Sequence, residues 1–190
     1  MSVRNFTTFY DFIEAPDNDG QPFHITPGDP GGATVYGWTY ATWSHVAPYH
    51  GIEDISLEAF RAQTKVTLAP MTRAWFWNRL LADDMPAGFD LFWCDFQFGS
   101  GAATRVLQGC LGVTPDGVVG RMETLPALDR LTDPADRVRM LTRMYDDRVG
   151  YYDACGFRDR WPGLYRRAAA CRDLALRLTV MELADRSAGA

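Results

Sequence analysis

Residues 15–37 hold five glycines and four prolines. No continuous helix passes through such a stretch, because proline lacks the donor and glycine loses the most backbone freedom. Phe6, Phe9, Tyr10 and Ile13 precede it at three- and four-residue spacing, which predicts an amphipathic helix over 5–14. Asn5 reads as its N-cap, and Pro16 disfavours helical geometry at Ala15, so the helix stops at about Glu14. The breaker-rich stretch itself is irregular, with a small hairpin expected around Phe23–Ile25 and Val35–Trp38. A long loop with apolar residues embedded in it is more consistent with function than with disorder.

Helical spacing dominates the rest of the chain. It predicts helices at 39–47, 56–66 (capped by Ser56), 70–81 (Pro70 in the first turn), 89–98 and 102–111, then 120–129, 134–153 and 162–184. Thr114-Pro115-Asp116-Gly117 reads as a turn. Strand signals are scarce, so the expected fold class is all-α. With 190 residues the chain suffices for one compact domain or two small lobes, and Met85-Pro86-Ala87-Gly88 divides it into 1–86 and 87–190. No apolar run reaches the roughly 18 residues of a membrane span, so no membrane insertion is expected. The first residues lack the charged-then-apolar pattern of a secretory signal, so synthesis in the cytoplasm without one is expected.

Charge narrows the partners. Residues 1–88 carry ten carboxylates against five bases, and residues 89–190 carry fourteen of each; Lys65 is the one lysine among 19 bases. An acidic front half lacks the basic stripe a nucleic-acid surface needs. The arginines and aspartates between 136 and 177 interleave as a solvated ion-pair face does. Cys94, Cys110, Cys155 and Cys171 lie in apolar contexts without a CxxC pair and read as buried free thiols, with a Cys94–Cys110 bridge left open. Three histidines make no zinc spacing, and Asp17-Asn18-Asp19-Gly20 fails the EF-hand pattern because Ala15 and Thr26 occupy its end positions. Neither a metal nor a cofactor is expected.

Two carboxylates bracket the breaker-rich loop. Glu14 sits at the negative end of its helix dipole beside Phe12 and Ile13, and both influences raise a carboxylate pKa toward that of a general acid. Asp29 opens Asp29-Pro30-Gly31-Gly32, followed by Thr34 and the rings of Tyr36 and Trp38. An acid, a second carboxylate or positioned water, and stacking rings are the parts of a glycosidase site. By position alone each also has an ordinary reading: Glu14 as a solvated helix end, Asp29 as a turn residue, Thr34 as a backbone cap. His24 lies in the same loop within reach of a substrate. Trp43, Trp75, Trp77 and Trp93 read as core.

Glu14 together with Gly28-Asp29-Pro30-Gly31-Gly32-Ala33-Thr34-Val35-Tyr36-Gly37-Trp38-Thr39 resembles the signature of the glycoside hydrolase family 108 muramidases, phage-type endolysins with a lysozyme-like helical fold. Ala15 and Pro16 stand where the family has two glycines, and about six extra residues separate Glu14 from Asp29. A second stretch resembles the peptidoglycan-binding module that succeeds that catalytic region. It includes Asp95, Gly99-Ser100-Gly101, Leu107-Gln108, Asp116-Gly117-Val118-Val119-Gly120 and, further on, Arg160-Trp161 to Arg167. The resemblance implies a monomeric peptidoglycan hydrolase with Glu14 as acid, Asp29 or Thr34 as stabiliser or water holder, and Tyr36, Trp38 and His24 against the glycan. It further implies action on periplasmic peptidoglycan after release, with a holin as an export partner. The alternatives are a non-catalytic wall-binding or structural module of a phage-like particle or secretion system, and a lytic transglycosylase that uses the same Glu14.

Overall fold

The computed structural model describes residues 3–14, 22–25 and 32–188. The molecule is mostly α, in two compact units: Phe6–Trp75, and Phe76–Ala190 together with Met1–Asn5. The division falls ahead of the sequence break at 86–87. Residues 76–86 pack with the C-terminal helices: the buried Cys94 thiol reaches the Phe76 carbonyl at 3.8 Å, and Leu80, Ala82 and Met85 are buried.

In the first unit, α1 (Val3–Glu14) ends where the sequence places its stop but begins two residues early. Asn5 is therefore inside the helix and not its cap. Its amide donates to Asp90 at 2.7 Å, and residues 1–5 belong to the second unit. Three short antiparallel strands come after α1, β1 (Phe23–Ile25), β2 (Ala33–Val35) and β3 (Trp38–Thr39), in the order β1-β2-β3. Thr39 then caps α2 (Tyr40–Val46), accepting from the Thr42 amide at 3.3 Å. Ser56 caps α3 (Leu57–Arg61) as expected, but the predicted 56–66 helix is broken at Ala62. Thr64 restarts it as α4 (Lys65–Thr72) through a reciprocal capping box with Thr67, so Pro70 falls inside α4 and does not open a helix at 70–81. Beyond α4 the chain makes a π-helical turn at Arg73–Trp77 and a 3-10 turn at Asn78–Leu80. Phe9, Ile13, Val35, Trp38, Trp43, Phe60 and Leu68 fill the core of this unit.

The second unit is built around α5 (Phe89–Gly99), whose residues Phe89–Phe96 are all buried. A helix buried all round is a central helix, and α6 (Ala103–Leu111), α8 (Pro134–Ala154) and α9 (Pro162–Ala188) pack on it, with α7 (Thr124–Asp129) against α6. Gly88, at φ 93°, lets the start of α5 approach α9: a Cβ there would lie 2.3 Å from the Thr179 hydroxyl and 2.4 Å from the Ala175 carbonyl. Cys94, Cys110 and Cys171 are buried free thiols, so no bridge joins Cys94 to Cys110. Cys155 is exposed instead, because it caps the C-terminal end of α8 beyond that helix's buried stripe. The interleaved charges are a solvated face only in part. Arg139–Asp136, Arg158–Asp153 and Arg172–Asp173 pair at the surface, but Arg137 and Arg148 are buried. No helix among the described residues is long and apolar enough to cross a membrane.

Asp90 is the unusual group in this unit. It is 0% exposed and accepts from the amides of Gly88 (2.8 Å) and Leu91 (2.7 Å) and from Asn5, without an ion-pair partner among the described residues. Burial, reinforced by the nearby Glu182 charge and only partly opposed by the three donors, pushes its pKa up to about 7. The folded state therefore binds a proton that the unfolded state has already lost. The stabilisation is complete below the ordinary carboxylate pKa and fades as pH rises toward 7, a span worth on the order of 4 kcal/mol. Urea unfolding of Asp90→Asn at pH 5 and pH 8 should show a smaller drop than wild type; an equal drop would place the pH dependence elsewhere.

Candidate functional site

Strand register assembles the predicted residues on a small scaffold. His24 pairs with Thr34, and Thr34 with Thr39, so these three share one face of the sheet. Phe23, Val35 and Trp38 line the other face, where Val35 and Trp38 are each 1% exposed. The Trp38 indole donates to the Thr72 hydroxyl at 3.0 Å, which in turn donates to the Leu68 carbonyl at 3.0 Å. Trp38 thus fastens the sheet to α4. Its face is closed to a saccharide, which corrects the expectation that it stacks on substrate; alternation puts it opposite Thr34 and His24.

The His24/Thr34 face has the opposite character. The buried Nδ1 of His24 has no hydrogen-bond partner among the described residues. Beside it, Thr34 is 8% exposed. An orphan polar atom in a buried position costs about 1–3 kcal/mol, so an unpartnered ring nitrogen marks a face built to meet something polar. Directly opposed residues of an antiparallel pair bring their Cβ atoms to roughly 5 Å. One sugar hydroxyl or one water spans that gap.

Tyr36 and Gly37 form the two-residue turn from β2 to β3, both with positive φ (46° and 79°). Two-residue hairpins favour positive φ at both positions, but a tyrosine there is strained by roughly 1–2 kcal/mol. Two contacts hold it: the Tyr36 amide donates to the Pro22 carbonyl at 3.1 Å, and the Lys65 ammonium sits 5.8 Å from the ring centre. Lys65 is itself placed by α1, since the Tyr10 hydroxyl donates to its carbonyl at 2.5 Å. Strain accepted at a half-buried aromatic ring points to a use for that ring. Tyr36→Asn, which tolerates positive φ, should leave the unfolding midpoint unchanged or raise it while weakening glycan binding. A variant that binds as wild type would return Tyr36 to a turn role.

α1 ends on Glu14, whose side chain is outside the described atoms. Asp29, with Gly28, Pro30 and Gly31, lies outside the described residues, as do Asp17–Gly20. Of the predicted set, the structure therefore sets His24 opposite Thr34, places Tyr36 in the turn from β2 to β3, and buries Trp38 in the core. Sequence reasoning missed Lys65 against Tyr36, which no spacing reveals because the contact joins a turn to a helix start 29 residues later. It also placed Trp75 in the core, whereas the π-helical turn directs Phe76 and Trp77 inward and leaves Trp75 half-buried.

The Glycosyl hydrolase 108 family model matches residues 18–101, a span that contains the whole sheet and begins just after Glu14. Among solved structures, the chain is similar to that titled Structure of Brucella abortus SagA, with 29% identity over 92% of this chain and 95% of that one, at a TM-score of 0.77. No curated protein matches. The match and the shared mostly-α fold identify a glycoside hydrolase.

Proposed function

We propose that this glycoside hydrolase cuts the β-1,4 bond between N-acetylmuramic acid and N-acetylglucosamine in peptidoglycan, with Glu14 as the general acid. The observation that carries the reading is the family match over residues 18–101, with the unpartnered ring nitrogen of His24 opposite Thr34 on the sheet inside it. Glu14 gives its proton to the glycosidic oxygen as the bond to the anomeric carbon breaks. Water adds to that carbon, and its proton passes to Asp29. Thr34, beside His24, orients the water or a sugar hydroxyl, and Tyr36 lies against a ring. Proton and oxygen balance without any cofactor: one water is consumed and one new reducing end appears.

Residues 1–86 carry the chemistry in this proposal, and the helical residues 87–190 supply wall contact. The substrate lies beyond the inner membrane, so a holin or another export route delivers the enzyme to periplasmic peptidoglycan. Mass spectrometry of digested, purified peptidoglycan tests the reaction. Muropeptides carrying the elements of one added water and a reducing N-acetylmuramic acid are expected. Reducing N-acetylglucosamine would reverse the bond assignment, 1,6-anhydro ends would mean that the muramic acid's own hydroxyl replaced water, and wall binding without products would mean a non-catalytic module.

A further inference from the structure

Three rings stand together on the surface of the first unit. Tyr49 is 72% exposed and lies nearly parallel to Trp75, with centroids 6.2 Å apart and planes 27° apart. His45 meets both edge-on, at 5.9 Å from Tyr49 and 5.8 Å from Trp75. Each ring reaches this place by an identifiable backbone device. His45 is in the last turn of α2. Tyr49 sits in the 3-10 turn Ala47–His50, opened by Pro48 and closed by Gly51 at φ 75°, whose amide donates to the Pro48 carbonyl at 3.2 Å. Trp75 is turned outward by the π-helical turn at Arg73–Trp77. Such turns are rare in helices and are concentrated at functional sites.

We propose that His45, Tyr49 and Trp75 form a stacking platform for a stretch of β-1,4-linked amino sugar. The platform rests on the glycan reading of the active site. A pyranose presents one face of C–H groups ringed by hydroxyls and amides, which complements a flat aromatic face with polar neighbours. Tyr49 offers that face, and its two side-chain torsions keep the entropy cost of binding low. Trp75 backs the ring and fixes its tilt, while the imidazoles of His45 and the exposed His50 supply hydrogen-bonding nitrogens at the rim. The substrate chemistry is suggested by the family match, since all three rings fall within 18–101. A polymer is longer than the bond being cut, and a second hold on the strand keeps the enzyme on an insoluble wall between cuts.

The test is local, so that sugar bound elsewhere on the molecule does not count. A soluble β-1,4-linked N-acetylglucosamine tetramer is titrated into the full chain while the ring-proton resonances of Tyr49 and His45 are followed. These should shift together along one binding curve. Tyr49→Leu, which keeps apolar area but removes the flat face, should weaken that curve about tenfold, and Tyr49→Trp should keep it. Because Tyr49 is exposed, both variants should keep the wild-type unfolding midpoint. Unmoved Tyr49 and His45 resonances in the wild type, or equal binding by Tyr49→Leu, overturns the platform. Shifted rings in a protein that releases no muropeptides would uphold the platform and sink the hydrolase reading instead.

Discussion

Glu14→Gln should lower the release of reducing ends from purified peptidoglycan by at least about 100-fold, the scale on which a general acid contributes. Glutamine preserves the side-chain shape and hydrogen-bonding reach but has no proton to give to the leaving oxygen. α1 is 12 residues long and ends on Glu14. Because the substitution changes neither size nor shape, the unfolding midpoint should stay level. Retained activity with an unchanged midpoint would show that another group donates the proton. Lost activity with a collapsed midpoint would show a structural role. Only lost activity in a stable protein fits the acid.

The outlines of this fold were readable because they depend on local chemistry. Pro16 fixed the end of α1 to the residue, Ser56 announced the start of its helix, and the apolar run around Phe89 to Phe96 announced a buried helix. The features that escaped depend on partners distant in sequence. Asn5 has the chemistry of a cap but is claimed by Asp90, 85 positions away. Pro70 suits a first turn, yet the reciprocal cap of Thr64 and Thr67 outweighs it and carries α4 through. Trp75, Phe76 and Trp77 are three adjacent aromatics whose burial no periodicity decides, because a π-helical turn changes the count just there. The site was legible to the same depth. Alternation along β2 and β3 puts Thr34 and Trp38 on opposite faces, but only the register, set by the Tyr36-Gly37 turn, says which face is covered by α4.

Arg148 shows the same limit with the largest energetic stake. It sits among arginines and aspartates that look like a surface pattern, yet it is 1% exposed and its guanidinium donates to the Asp95 carboxylate at 2.8 Å. Arg167 donates to the other oxygen of Asp95 at 2.7 and 2.8 Å, and the Arg148 Nε donates to the Tyr152 hydroxyl at 2.8 Å. The rings of Phe92, Phe96 and Tyr152 surround Arg148 at 4.9–5.6 Å. Burial alone would raise the Asp95 pKa, but the two guanidiniums outweigh it and hold the carboxyl below the ordinary range. Its stabilisation is therefore present above the unfolded carboxylate pKa and lost only as pH falls below about 4, the reverse of Asp90. Asp95→Asn keeps the volume and strands a buried cation, which should cost about 3–5 kcal/mol, a large part of an ordinary domain's stability. Urea unfolding at pH 7 measures it. Adding Arg148→Met should return part of the loss, because the stranded charge goes with it. A cost below about 1 kcal/mol for Asp95→Asn, or no recovery in the double variant, would show that the arginines, not the carboxylate, hold α5 to α8 and α9 through their packing alone.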